Sequence, residues 1–504
     1  MLVLGTFAGC KKFLDLPPKN QRTVTTLSDI KALLGAQLRG VVTFNIKPLY
    51  GNVVPACPSQ AFMMFEAYSD NIDFEKALPE NYLLPGNRYI PTEEGYADLL
   101  LWNQQETSSL IWTHHYAIVG FMNSLIDQTN TIADMTQSER DQMLGEMYAN
   151  RAYSLFKLLQ YYGIYNNAAM GIPVYLKTGE GVLGVKMPRK IHAEVYSILL
   201  DDLNKSLEMV NRTNPIAGFN ALYNKRYINH LLAQVYWFKA ESPAKEAGDY
   251  EKVKQYSSVA LEAADAYIPA TMTDRFNAYA GKNVNYPVIT QQSNVQGALG
   301  GIYGSEFEYL GTGPLNIPLN EDFAALFTGT DIRILNYFNM DAARAGGKVG
   351  TAGKVKNWGW PADGTANGQN KRGHVCMFKP EEAYMMLAEA QYRLGATGDA
   401  LTTLNKFRTT FRSASAFSGL SGEPLLTEIV NERRREFFGD SDKRWLDLKR
   451  YANKTIVRTI TFFQKQHVIT VPPHDFRYAL PIPLNEIQEN KDIVPNPGWG
   501  EVVY

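Results

Sequence analysis

Lys379 to Phe407 reads KPEEAYMMLAEAQYRLGATGDALTTLNKF. Ala383, Leu387, Ala390 and Leu394 recur at steps of three and four, the spacing that lines one face of an α-helix. Gly395 to Gly398 supplies a turn, and a second helix opens near Asp399-Ala400, with Leu404 four residues further on. Neither helix can bury its apolar stripe alone, so each needs the other and then a neighbouring pair. Working outward, Leu231 to Glu241 and Gly248 to Ala264 have the same shape, with Tyr250 and Tyr256 at packing positions. Glu146 to Tyr162 and His192 to Val210 form a third candidate pair around a long insertion. In the second of these helices Val195, Ile198, Leu199, Leu203, Leu207 and Val210 share one face. Asp201-Asp202 then read as its solvated side.

The Lys379 unit resembles a tetratricopeptide repeat, through Leu387-Ala388, Tyr392, and Ala400 followed by Leu404. The expected fold is therefore mainly α: a tetratricopeptide-like helix-pair scaffold with long irregular loops. One large domain is expected over 25–504, with helical repeats within about 137–265 and 379–410. The loop-rich stretches are 57–111 and 269–373. They lack a sustained helical period and are rich in Gly, Asn, Tyr and Pro, as in Gly311-Thr312-Gly313-Pro314 and Trp358 to Gly373 (WGWPADGTANGQNKRG). Long irregular segments inside a compact protein are usually functional.

The 504 residues carry 50 Lys+Arg against 51 Asp+Glu, a balance that argues against nucleic acid as partner. Hydrophobic residues at 45% and charged residues at 20% suit a folded chain rather than a disordered one. No apolar run long enough to span a bilayer occurs after the first few positions. Of the three cysteines, Cys10 closes the apolar opening MLVLGTFAGC, the pattern of a lipoprotein signal. Residues 1–9 are then residual signal, Cys10 is the lipidation site, and 10–24 is a polar tether containing Pro17-Pro18. Contact with a membrane is expected through this lipid anchor only.

Patterns for catalysis fail. His-Glu-x-x-His, Gly-x-Ser-x-Gly and Cys-x-x-Cys are all missing from the sequence. His114-His115 point about 100° apart on a helix and make a poor metal pair. Gly346 to Lys354 misses phosphate-loop spacing by one residue and is followed by Val355 where Ser or Thr would hold magnesium. No catalytic residue, metal site or cofactor is expected.

Leu425 to Tyr451 reads LLTEIVNERRREFFGDSDKRWLDLKRY. Ile429, Val430, Phe437 and Phe438 form an apolar side. Glu428, Glu432 and Glu436 run beside Arg433, Arg434 and Arg435, a spacing that allows an ion-pair lattice. Gly439-Asp440 breaks the helix and Arg444-Trp445-Leu446-Asp447-Leu448 starts another, giving a hairpin whose guanidiniums tie two helices together. This block resembles the C-terminal signature of the SusD/RagB family, the surface glycan-binding lipoproteins of Bacteroidetes. Glu432-Arg433, Glu436, Arg444, Trp445, Asp447, Leu448 and Arg450 match, while Gly439 to Arg444 departs from the family's usual Glu-Gly-x-Arg step. Further matches are Cys10 to Asp15, Trp112, Tyr116, Asn123, Arg151-Ala152-Tyr153, Tyr162-Gly163, Pro173, Glu389-Ala390, Asn405, Arg408, Pro481-Ile482-Pro483, Glu486-Ile487, Asn490 and Asn496-Pro497-Gly498.

The resemblance implies a lipid-anchored protein of the outer membrane, facing outside. It would capture an oligosaccharide and act as a lid on a SusC-like TonB-dependent transporter. Aromatic rings laid against sugar faces would do the binding. The candidate ligand residues are Trp102 with Asn103, Tyr303, Trp358 and Trp360, all in Gly/Asn-rich stretches. Trp112 and Trp445 match framework positions and are assigned to packing. Two other readings stay open at this point: the same architecture binding peptides, and a helical-repeat scaffold that holds no small ligand.

Overall fold

The computed structural model describes residues 24–42, 64–65, 67–73, 100–102, 105–178, 184–213, 222–262, 268, 319–327, 329–334, 338–339, 354–355, 378–438, 442–462 and 464–500. The described helices are α1 (Leu27–Val42), α2 (Gln105–Thr131), α3 (Gln137–Tyr162), α4 (His192–Met209), α5 (Lys225–Lys239), α6 (Asp249–Leu261), α7 (Glu321–Ala324), α8 (Pro380–Arg393), α9 (Thr397–Phe411), α10 (Gly422–Glu436), α11 (Lys443–Tyr451) and α12 (Leu484–Glu489). Sheet is confined, among the described residues, to two antiparallel ribbons. These are β1 (Phe338–Asn339) with β2 (Lys354–Val355), and β3 (Ile456–Phe462) with β4 (Lys465–Val471).

The three expected helix pairs are present as α3/α4, α5/α6 and α8/α9, each packed side by side. The pairs also stack in series: α4 lies on α5 and α6 lies on α8, so each stripe is covered by its own partner and by the next unit. Gly395 makes the α8/α9 turn at φ 80°, a left-handed conformation that favours glycine. α9 begins at Thr397, two residues ahead of the expected start. α3 opens on a reciprocal capping box between Thr136 and Glu139. Its far end is closed by cations: Lys449 Nζ donates to the Gln160 and Gly163 carbonyls (2.6 and 2.8 Å), and Arg189 Nη2 donates to the Tyr162 carbonyl (2.9 Å). That end carries the negative pole of the helix and carbonyls that the helix itself does not satisfy, so positive donors stabilise it.

One expectation is corrected on α4. Asp201 is solvated and pairs with Lys205, but Asp202 is buried, where Arg151 of α3 grips both its oxygens (2.6 and 2.8 Å). Asp202 sits on the same stripe as Leu199, Leu203 and Ser206, all fully buried, so its position pointed inward even though its charge pointed outward. The β3/β4 ribbon was not foreseen. Its period of two is plain once seen: Ile456, Arg458 and Ile460 face the core while Val457 and Thr461 face solvent.

Candidate functional site

Three consecutive arginines on a helix point about 100° apart, so Arg433, Arg434 and Arg435 reach in three directions from α10. Arg433 pairs with both oxygens of Asp447 on α11 (2.8 and 2.9 Å) and with Glu382 on α8 (2.9 Å). Arg435 turns back on its own helix to Glu432 (2.7 Å) and Glu428 (3.3 Å). Arg434 reaches out to the segment 70–71, donating to Asn71 Oδ1 (2.9 Å) and the Asp70 carbonyl (2.7 Å), and to Asp322 (3.2 Å). The lattice is thus present but drawn largely from other elements, and all three arginines are buried. Glu432 also receives Arg333 (2.6 Å) and Arg408, and Glu436 receives Arg412 (2.6 Å) and Arg333 (3.2 Å). Burial works to raise the Glu432 pKa, but the surrounding guanidiniums, Arg333 first, hold it below the usual carboxylate range.

On this arginine platform the two loop-rich stretches meet. The Asn320 amide donates to the Asn71 carbonyl (2.9 Å), and its side chain donates to the carbonyls of Asp70 (2.7 Å) and Ile72 (3.2 Å). Ile72 and Leu319 form an isolated antiparallel bridge. Asp70 is the electrostatic centre: its carboxylate accepts from Arg444 (2.6 and 2.9 Å) and Lys454 (2.6 Å) and forms an ion pair with Arg434 (3.2 Å). Burial raises its pKa, but the cations, Arg444 and Arg434 foremost, overcome this and keep the carboxyl well below its ordinary range. Through these pairs the Asp70 carboxylate joins α10, α11 and Lys454 to the segment 67–73.

Trp102 lies beside the same junction. It is only 2% exposed, stacked on Tyr68 (centroids 5.1 Å apart, planes 17° apart), with the Arg458 and Arg477 guanidiniums 4.7 and 5.7 Å from its ring centroid. The ring is therefore packed in the core. Asn103, Tyr303, Trp358, Trp360 and the lipidation candidate Cys10 lie outside the described residues, as does most of Gly346 to Lys354. Trp112 and Trp445 are both buried, as framework rings should be. His114 and His115 are buried side by side on α2, and burial pushes both pKa values down, His114 to about 4. Among the described residues no cluster of His, Cys, Asp and Glu could hold a metal ion. None of their helices is long and apolar enough to cross a membrane. The sequence reading did not single out Asp70, Asn320 or Arg458, because no local spacing marks a polar group whose partners lie hundreds of residues away.

The model of the SusD family matches residues 223–499, more than half of the chain. The chain belongs to the SusD family. A second family model, described as starch-binding and associating with the outer membrane, matches residues 12–236. Solved structures share this architecture. A SusD-like carbohydrate binding protein from Bacteroides vulgatus is 19% identical over 93% of this chain and 97% of its own, with a TM-score of 0.67. A SusD superfamily protein from Bacteroides thetaiotaomicron is 18% identical over 94% of this chain and 100% of its own, with a TM-score of 0.68. Another from Parabacteroides distasonis, 15% identical over 94% of this chain and 100% of its own, also has a TM-score of 0.68. At such identities the likeness is one of fold. No curated protein matches the sequence.

Within this SusD-family chain, several residues that carried the resemblance make hydrogen bonds between elements far apart in sequence. Tyr116 donates to the Pro173 carbonyl (2.7 Å), and Arg151 joins Asn123 (2.8 Å) to Asp202. Glu389 accepts from Arg450, Tyr451 and the Trp237 indole. Asn490 and Asn496 tie the C-terminal stretch to Met187 and Tyr162. Much of the described part of the signature thus sits at joints between elements, which explains why it identifies the scaffold and says little about the ligand.

Proposed function

We propose that this SusD-family protein captures an oligosaccharide at the outer face of the outer membrane and closes over a SusC-like TonB-dependent transporter as its lid. The observation that carries the reading is the match of residues 12–236 to the family described as starch-binding and associating with the outer membrane. It is supported by the meeting of the two loop-rich stretches on one arginine platform, which gives residues far apart in sequence a common mount. In this reading Asn103, Tyr303, Trp358 and Trp360 contact sugar, the rings by stacking on pyranose faces and the amide by bonding hydroxyls. Cys10 carries the lipid anchor. Each buried CH₂ of an acyl chain contributes about 0.8 kcal/mol, so more than one chain is needed for stable retention. Capture and hand-over involve no covalent step.

The test is a panel of soluble starch and other polysaccharides, run by affinity electrophoresis and calorimetry on protein beginning near residue 25. Wild type is compared with Trp358→Ala and Trp360→Ala. Binding to one glycan class, weakened by either substitution, is the expected result. Binding that survives both moves the platform to Tyr303 and Asn103. Absence of binding to every glycan refutes the sugar ligand and leaves a peptide as the cargo to try.

A further inference from the structure

The buried carboxylates of the scaffold are neutralised from within the chain: Asp70, Asp202, Glu432, Glu436 and Asp447 each receive a guanidinium. Glu486 on α12 is different. It is partly buried, and burial raises its pKa, yet no Lys or Arg among the described residues offsets that cost. Its hydrogen-bond partner is the Trp112 side chain. Aromatic rings surround it. Trp112 and Tyr116 of α2 lie 4.6 Å apart between centroids, and Tyr175 meets Tyr116 edge-on at 6.1 Å. Burial first, and the Glu486 charge second, push both tyrosine hydroxyls up. Tyr175 and Glu486 are both partly exposed, so the notch reaches the surface. Rings beside an unneutralised carboxylate make a seat for a cation.

The two segments that frame this notch are apolar on the outside. Of the seven large apolar side chains exposed among the described residues, they carry five: Leu176, Val185 and Ile191 on the α3–α4 connector, Leu484 and Val494 on the C-terminal stretch. The segments are held side by side. Asn490 Nδ2 donates to the Met187 carbonyl (2.9 Å) and the Tyr175 hydroxyl (3.3 Å), and Arg189 Nη1 donates to the Val494 carbonyl (3.1 Å) and Asn496 Oδ1 (2.6 Å). Clustered exposed apolar groups mark a contact surface, and a charged anchor among aromatic rings is typical of protein interfaces. A neutral sugar brings no charge to offset Glu486. An anionic lipid surface would be repelled by it and by the exposed Glu489 and Asp492.

We propose that this face docks a protein partner, which seats a lysine or arginine side chain in the notch of Trp112, Tyr116, Tyr175 and Glu486 and covers Leu176, Val185, Leu484 and Val494 with apolar residues. Under the lid reading above, on which this choice of partner rests, the partner is the SusC-like transporter. The test is co-purification of the full chain on its tagged SusC-like transporter. Glu486→Gln keeps the shape of the side chain and an oxygen that accepts from Trp112, so its urea midpoint should match wild type. Leu484→Ser with Val494→Ser removes apolar cover. Val457→Ser with Val468→Ser, on the exposed face of the β3/β4 ribbon, is the control. Recovery should fall by about fivefold or more for Glu486→Gln and for the Leu484/Val494 pair, and hold for the control.

Wild-type recovery of either test variant, or an equal loss in the control, overturns the proposal. Self-association of the purified chain that the Leu484/Val494 pair abolishes assigns the face to a second copy and overturns the transporter. If wild type itself does not co-purify, the lid reading falls, and the notch is decided by saturation-transfer NMR with N-acetyl-arginine amide and its uncharged counterpart, N-acetyl-citrulline amide. Preference for the arginine compound that Glu486→Gln abolishes upholds the cation seat. An equal response to both compounds refutes it.

Discussion

Replacing Asp70 with Asn keeps the shape of the side chain and removes the charge on which three cations converge. Arg444 would lose bonds of 2.6 and 2.9 Å, Lys454 one of 2.6 Å, and Arg434 an ion pair at 3.2 Å. Removing one partner of a buried pair typically destabilises by about 3–5 kcal/mol, because the opposite charge is left without compensation. Arg434 retains Asn71 and the Asp70 carbonyl, and the amide still accepts one bond, so the lower end, about 3 kcal/mol, is expected. Asp322 is the control. It shares Arg434 and Lys454 but its side chain is 50% exposed, so Asp322→Asn should stay within about 1 kcal/mol. The assay is urea unfolding followed by far-UV circular dichroism, in which a lower midpoint at unchanged slope reports stability. Adding Arg444→Met to Asp70→Asn removes the stranded cation and should recover part of the loss. An Asp70→Asn effect no larger than that of Asp322→Asn would refute the view that this buried junction holds the two loop-rich stretches together. The sign with pH follows from the same contacts. The folded-state pKa of Asp70 is depressed, so its stabilisation is present above the unfolded value and is lost as pH falls through the folded one.

Two further outcomes are expected. Burial lowers the pKa of His114 and of His192 to about 4, so both are neutral in the folded state and charged in the unfolded state between those values and about 6.5. Stability should therefore be fully present above about pH 6.5 and fall as pH drops toward 4, by up to about 3 kcal/mol per group; His114→Phe should flatten a plot of urea midpoint against pH. Gly498 has φ 85°, and a Cβ there would overlap the ring of Phe476, so Gly498→Ala should lower the unfolding midpoint by the equivalent of about 1–3 kcal/mol.

The helix pairs were legible because an α-helix writes its buried face into the sequence every three to four residues. Val195, Leu199 and Leu203 on α4, and Ala383 and Ala390 on α8, are all fully buried. The block from Leu425 to Tyr451 was legible for a related reason: its helix break and the Arg433–Asp447 tie lie within a short span. Where the reading went astray, a local rule met a distant partner. Asp202 looked solvated until Arg151 reached it from α3, and nothing local announced that Tyr68, Arg458 and Arg477 enclose the ring of Trp102.

By itself, then, the sequence determined the helical scaffold, its pairing and its membership of the SusD family, because periodicity, turns and a motif of short range are properties of neighbouring residues. Only the tertiary structure decided that segment 70–72 meets Leu319 and Asn320 on the arginines of α10 and α11, and that a tryptophan in a loop-rich stretch is core. Burial of a loop residue depends on which remote segments fold over it. Irregular chain has no repeating period that could record those neighbours in advance.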